Sequence, residues 1–192
     1  MSTKASGFAP SARERLLAAA NQLFYEEGVR AVGIDRVIEQ AGVAKASLYS
    51  SFGSKEELVR SYLQGRHATR RARLEAKLAQ HSTPAEKLLG VFDLLVEITA
   101  DPTYRGCAFL RADAELLPGG AVKEMCDLSR GWLRGVLLDL AQQVGVREPQ
   151  RLVQRLVLLY DGVMVAVQMD GDRTAAVEAR ALAAELLAAA TA

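Results

Sequence analysis

The chain reads as an all-α protein of about nine helices. Three observations predict this. Ala and Leu dominate a sequence of 192 residues in which 50% are hydrophobic and only 6% aromatic, a composition that favours helices over strands. Apolar positions recur at three- and four-residue spacing between repeated helix-start and helix-stop signals. No strand-like alternation persists anywhere. The hydrophobic fraction, set against 24% charged residues, is enough to bury a core.

The elements follow in order. Residues 1–10 are small and polar, end on Pro10, and read as a loose arm. Ser11 and Glu14 make an S-x-x-E capping box, in which each side chain satisfies a free backbone donor. The helix they open turns Leu16, Ala20, Leu23 and Phe24 inward until Gly28 stops it. A second helix, about 34–41, buries Ile34, Val37, Ile38 and Ala41 and stops at Gly42. A third, about 45–52, buries Leu48 and Phe52. Ser54 and Glu57 form another capping box and open a fourth helix that reaches about Gln80.

Thr83-Pro84-Ala85-Glu86 combines a cap, a proline at the first helical position and a capping-box glutamate. The fifth helix it starts runs to about Ala100, where Asp101-Pro102 stops it. A sixth covers residues 106–117 and ends at Pro118-Gly119-Gly120. A seventh, 121–144, ends at Gly145; an eighth, 149–170, ends at Gly171; a ninth covers 173–190. The best boundary lies in or just before the fourth helix, near residues 53–66, and divides the chain into 1–53 and 54–192.

Charge is distributed unevenly. The net charge is +1, but residues 1–80 hold 13 Lys and Arg against 8 Asp and Glu, while residues 81–192 hold 11 against 15. A basic N-terminal part joined to an acidic remainder points to nucleic-acid contact at one end. Cys107, Cys126, His67 and His81 are spaced too widely for a zinc site or a disulfide framework. There is no Ser-His-Asp set, no metal cluster and no phosphate loop, and His67 and His81 fall in a basic stretch that reads as exposed. Neither an enzyme nor a cofactor is expected. The N-terminus has no apolar run of signal-peptide length, and no stretch reaches about 18 uncharged apolar residues. The expected place is a reduced cytoplasm, with no membrane span.

Residues 28–58 carry the functional pattern. Two short helices flank a turn centred on Gly42, and a third helix follows with its own cap. A helix that reads a major groove needs one apolar face to dock on its own domain and another short enough to approach base edges. VAKASLYSSF, residues 43–52, has that split. Val43, Leu48 and Phe52 can dock inward, leaving Lys45, Ala46, Ser47, Tyr49 and Ser50 for the groove or its walls. Lys45 suits a guanine edge or a phosphate, Ala46 a thymine methyl, and Tyr49 a phosphate through its hydroxyl. Lys55, in the first turn of the next helix, can clamp a phosphate together with free backbone donors. Arg60, Arg66, Arg70, Arg71, Arg73 and Lys77 follow on the fourth helix, as electrostatic steering for DNA or as a solvated face.

The run AGVAKASLYSSFGSKEELV, preceded by IDRVIEQ, resembles the DNA-binding signature of the TetR family of bacterial transcription regulators over roughly residues 11–60. The resemblance implies an all-helical homodimer of about nine helices, with an N-terminal three-helix helix-turn-helix domain and a helical C-terminal ligand-binding and dimerisation domain. It places Lys45, Ala46, Ser47, Tyr49 and Ser50 at the reading-helix contacts and Lys55 at the phosphate-binding lysine. The family usually carries Thr or Ser where this chain has Gly33. A backbone N–H remains there to reach a phosphate, without the hydroxyl. The implied partners are double-stranded DNA with a near-palindromic operator, a small-molecule effector and a second copy of the chain. The implied activity is repression relieved by the effector.

The C-terminal half is less explicit. YRGCAFLRADAEL is similar to a Gly-Cys-x-Phe-Leu run of one subgroup of that family. The eighth helix is apolar nearly all round between Leu156 and Val167, so it needs cover on every side. The Ala-rich ninth helix, with Ala179, Ala183 and Leu186 at contact spacing, allows the close approach of an isologous four-helix interface. An apolar cavity with a few polar groups would draw on Phe92, Val96, Tyr104, Cys107 and Leu110. Further along the chain it would draw on Met125, Trp132, Tyr160 and Met164. Asp161 and Gln168 are polar within an apolar helix, placed to orient a ligand or to pair across a dimer. Cys107 or Cys126 is either a redox sensor or a buried inert thiol.

Overall fold

The computed structural model of the chain describes residues 9–115 and 120–191, and among them every regular element is helical. In chain order these are α1 (Ala12–Glu27), α2 (Ile34–Ala41), α3 (Lys45–Phe52), α4 (Lys55–Leu78) and α5 (Pro84–Ala100). Then come α6 (Ala108–Glu115), α7 (Gly120–Val144), α8 (Pro149–Met169) and α9 (Ala175–Thr191). The N-terminal arm at residues 1–8 and the expected end of the sixth helix at residues 116–119 lie outside the described residues.

The helix starts follow the predicted chemistry. Ser11 Oγ accepts from the Glu14 N–H at 3.2 Å, and the Ser11 N–H donates to Glu14 at 2.8 Å. Thr83 and Glu86 repeat this box at α5, with Pro84 in the first turn. Ser54 makes only half of the expected box. Its hydroxyl accepts from the Glu57 N–H at 3.1 Å, but the Glu57 carboxylate lies 3.4 Å from Arg60 Nε instead of turning back.

Two boundaries differ from expectation. The sixth helix begins at Ala108, because Gly106 has a φ of +99° that a right-handed helix cannot contain. Gly120, expected as a stop, instead opens α7 with a φ of +68°. A Cβ there would lie 2.7 Å from Glu56 Oε1, the same oxygen that accepts the Ala121 N–H at 3.1 Å. A side chain of α4 thus caps α7, and only glycine leaves room for it.

Two hydrophobic clusters form the interior. The first gathers Leu16, Leu23 and Phe24 of α1, Val37 of α2 and Leu48 and Phe52 of α3. Leu58, Tyr62 and Leu63 of α4, Phe109 and Ala112 of α6, and Val122 and Met125 of α7 complete it. The core of the three-helix head therefore runs past residue 53, and α6 and α7 close it from the far side. The second cluster joins Leu74 of α4 to α5, α7, α8 and α9 around Leu88, Phe92, Leu137 and Leu156. Helices α4 and α7 contribute to both clusters, and α4 runs on directly from the three-helix head.

Helix α8 is, by length and composition alone, apolar enough to cross a membrane, with a mean hydropathy of 1.4 over its best window. Its Leu156, Val157, Val163 and Met164 are buried against the second core. Leu158, Val165 and Met169 remain exposed, at 65%, 45% and 78%.

Leu48 is the fully buried anchor of α3. Leu48→Ala should lower unfolding free energy by about 2–5 kcal/mol. Ser50→Ala, on the exposed face of the same helix, should change it by less than about 0.5 kcal/mol. Urea unfolding followed by circular dichroism measures both.

Candidate nucleic-acid interface and its cavity

Helix α3 is held from below. Gly42 takes a φ of +61°, its N–H bonds to Glu39 O at 3.1 Å, and the Val43 N–H bonds to Ile38 O at 3.3 Å. This left-handed closure ends α2 and turns the chain into α3. Arg15 of α1 fixes the turn by donating to Gly42 O at 3.2 Å. Leu48 and Phe52 point inward, and the Arg13 guanidinium lies 4.8 Å from the Phe52 ring centroid. Ile34, Ile38 and Val43 are half-buried and pack on the same core.

What remains outward on α3 is Lys45, Ala46, Tyr49 and Ser50, with Ser47 half-buried. Tyr49 is 47% exposed, unusual for so large a ring with no helix over it. Lys45 Nζ lies 3.0 Å from Asp35 Oδ1 on α2, and this partner holds the ammonium's pKa above its ordinary value. Ser50 Oγ donates to Ser47 O at 3.2 Å, leaving its lone pairs outward. Gly33 caps α2 through its backbone only, and a Cβ there would meet nothing within 4 Å. Lys55 is half-buried in the first turn of α4. Burial pulls its pKa down, and the nearby Glu115 of α6 partly restores it.

The basic run on α4 is largely spent inside the molecule. Arg60 pairs with Glu57 and with Glu124 of α7. Arg66 stacks 4.0 Å from the Tyr25 ring centroid and reaches Asn21 O at 3.4 Å. Arg70 donates to Ser129 Oγ at 3.0 Å, and Arg71 pairs with Glu75. His67 and His81 are half-buried rather than exposed, and the His67 ring meets Trp132 edge-on at 5.4 Å.

A set of bonds that sequence reasoning missed ties the head to the rest. The Tyr25 hydroxyl donates to Gly106 O at 3.3 Å and accepts from the Arg105 N–H at 2.9 Å. Arg111 of α6 donates to Tyr25 O at 2.7 Å. Glu115 accepts the Arg30 N–H at 2.9 Å, just past the end of α1. These partners are 80 or more residues apart in the chain, and no local pattern marks them.

A cavity of about 410 Å³ opens beside α6, between α4, α7 and α8. Of the residues expected to line a pocket, Cys107, Leu110, Tyr160 and Met164 border this one. Tyr104 borders a separate cleft of about 490 Å³ next to Tyr25, and its hydroxyl contacts Met164 Sδ at 2.9 Å. Phe92 and Val96 belong to the second core and Met125 to the first. Trp132 is half-buried between His67 and the Arg70 guanidinium. Asp161 is held within its own chain by Arg130 at 3.0 Å, and Gln168 lies over Gly106. The Cys126 thiol donates to Phe109 O at 3.4 Å, and burial, with Asp113 close by, pushes its pKa up to about 12. It is protonated at neutral pH and a poor nucleophile.

Comparison with known proteins converges on one group. Residues 16–62 match the family described as bacterial regulatory proteins, tetR family. Over 89 residues the chain is 35% identical to the HTH-type transcriptional repressor KstR2 of Mycobacterium tuberculosis, an alignment covering 46% of this chain and 44% of that protein. A 52-residue stretch is 46% identical to the HTH-type transcriptional activator FasR of Mycolicibacterium smegmatis, over 27% of this chain and 24% of the relative. The chain thus spans less than half the length of these curated relatives. Its fold is similar to that of a TetR-family transcriptional regulator from Streptomyces coelicolor, with a TM-score of 0.89 and 31% identity over 94% of this chain and 96% of that one.

With Cys107 replaced by Ser, Cys126 is the remaining thiol of the two. Its alkylation by iodoacetamide should keep rising with pH through pH 10, because half-deprotonation waits until about 12. In denatured protein the rate should level off near the ordinary thiol value. A native profile that levels off there would show an exposed thiolate.

Proposed function

The chain belongs to the TetR family of bacterial transcription regulators, and on that premise we propose that it is a homodimeric repressor that a small molecule releases from a near-palindromic operator. That it is a DNA-binding regulator and not an enzyme follows from the family and its relatives. The observation that carries the DNA contact is the split of α3. Leu48 and Phe52 are locked into the core, and Lys45, Ala46, Tyr49 and Ser50 are exposed on the other face. Repression is favoured over activation because the repressor relative aligns over 89 residues and the activator over 52. Such a protein acts on DNA in the bacterial cytoplasm.

In this reading Lys45 exchanges Asp35 for a base edge or a phosphate. The pair is exposed on both sides, and solvent and salt screen such a pair, so DNA can displace it. Tyr49 and the backbone at Gly33 reach phosphates, as does Lys55 from the start of α4. The dimer presents two reading helices to successive major grooves. Its interface is the stripe of Leu158, Gly162, Val165 and Met169 on α8, spaced along one face, with Val177 and Leu182 of α9 beside it, in place of the expected Ala179, Ala183 and Leu186, which pack into the chain's own second core.

Release needs a route from cavity to head. Phe109 and Leu110 of α6 border the cavity, and Arg111 and Glu115 of the same helix hold the end of α1. Arg15 of α1 in turn holds the turn before α3. A ligand that favours a shifted α6 lowers DNA affinity by as much as it prefers that state. Helix α4 supplies a second lever, since it belongs to both cores.

Selection of duplexes from a random library tests the DNA claim, with enrichment of a near-palindrome expected and no enrichment overturning it. On the selected duplex, Lys45→Ala should cost about 1–3 kcal/mol if Lys45 reads a base. If it holds a phosphate, the slope of log affinity against log salt should shrink by about one. Anisotropy across a salt series separates the two. For the dimer, sedimentation equilibrium should give two chains for the parent protein and one for Leu158→Glu. A Leu158→Glu protein that stays dimeric would place the interface elsewhere.

A further inference from the structure

Among the described residues two cations of the cavity, Arg70 and Arg134, have no anionic partner, and of these only Arg70 is drawn in from solvent. Four basic and three acidic side chains line the cavity. Lys123 is paired with Asp127 and Arg130 with Asp161, while Arg134 and Asp113 are exposed to solvent. Arg70 reaches in from α4, and among the described residues no carboxylate lies within 4.0 Å of it. Its neighbours are neutral. Nη1 donates to the hydroxyl of Ser129, which is 1% exposed. The guanidinium carbon stands 5.7 Å from the Trp132 ring centroid and 5.5 Å from that of Tyr160. Aromatic faces and a hydroxyl orient a guanidinium but leave its charge in place.

Besides Ser129 the guanidinium has the neutral Tyr160 hydroxyl at hand, and a planar, bidentate acceptor would give the fork the charged partner it lacks. Alongside the charged side chains the lining includes an apolar set, Phe109, Leu133, Val157 and Met164. A polyanion would face Asp113, Asp127 and Asp161 at close range, whereas four positive against three negative charges leave room for one more negative charge.

We propose that the cavity takes an organic monocarboxylic acid, its carboxylate on Arg70 beside Ser129 and its apolar body against Phe109, Leu133 and Met164. This rests on the ligand-responsive reading above and names the chemical class of that ligand. The acid supplies the counter-charge that Arg70 lacks, so binding also stabilises the fold.

The chain has a single tryptophan, Trp132, and it lies against Arg70. Its fluorescence therefore reports on this corner. The full-length protein is titrated with decanoate and 4-phenylbutanoate, each beside its neutral amide. The acids should bind about tenfold or more tighter than the amides, the worth of hydrogen bonds to a charged group. Arg70→Met should bring the acids down to the level of the amides and leave the amides nearly unchanged. Arg70→Lys, which keeps the charge without the fork, should fall between. Thermal unfolding checks that each variant folds, and the acid–amide comparison on the parent protein decides the matter even if neither does. Equal affinity for acid and amide, preference for the amide, or no binding of any probe at millimolar concentration would overturn the proposal. Anisotropy on the selected duplex runs alongside. An acid that binds without weakening DNA contact refutes ligand release and leaves the acid site standing. An amide that binds better and releases DNA refutes the acid site and leaves ligand release standing.

Discussion

Tyr25 is the joint on which the geometry of the molecule depends. It sits in the last turn of α1, where backbone carbonyls have no partner of their own, and α1 carries no basic residue in that turn. The cation that complements the helix end comes instead from α6, as Arg111 on Tyr25 O. The ring is covered by Arg66 of α4, and the hydroxyl bridges Arg105 and Gly106 ahead of α6. Three elements of the body therefore converge on one residue of the head. The same device recurs at α5, whose last turn also lacks a base. Arg173 donates there to Thr99 O at 2.9 Å and to Asp101 O at 2.8 Å.

This way of finishing helices explains where the basic charge of the first 80 residues goes. Most of it caps carbonyls, stacks on rings or pairs with carboxylates. Of the α4 run, Arg60, Arg66, Arg70, Arg71 and Lys77 all have partners in their own chain. The outer face of α3 is left with an ion-paired, solvent-exposed charge at Lys45 and a large exposed ring at Tyr49. In the proposed function such a face would gain more from shape and placement than from bulk electrostatics, and the angle of the head would be the quantity a ligand controls.

The local chemistry of the helices was legible in the sequence. Ser11, Thr83, Gly28 and Gly42 mark ends that depend on one or two neighbouring residues, and the bounds of α2 and α3 come out as read. Gly120 was misread because its role depends on Glu56, 64 positions earlier in the numbering and in contact only once both helices are packed. Lys55 was readable as a cation at a helix start but not as one that faces Glu115. The pocket was legible in part. Cys107, Leu110, Tyr160 and Met164 border the cavity, whereas Phe92 and Met125 have the same apolar character and fill cores. Periodicity tells which face of a helix is inward, not whether that face meets a wall or a void. Tyr25 and Arg111 left no trace, since contacts across 86 residues follow from topology alone.

The central claim is that this joint fixes the angle of the head, and a distance between spin labels measures it directly. Labels at Glu39→Cys on α2 and Asp139→Cys on α7, both exposed, with Cys107 and Cys126 replaced by Ser, span head and body within one chain. Double electron–electron resonance should give one narrow distance distribution for this protein. The distribution should broaden or shift when Tyr25→Phe and Arg111→Met are added while the fold stays intact by circular dichroism. An unchanged distribution in that variant would contradict the account and leave head placement to α4, the Glu115–Arg30 bond and the packing of α6 and α7.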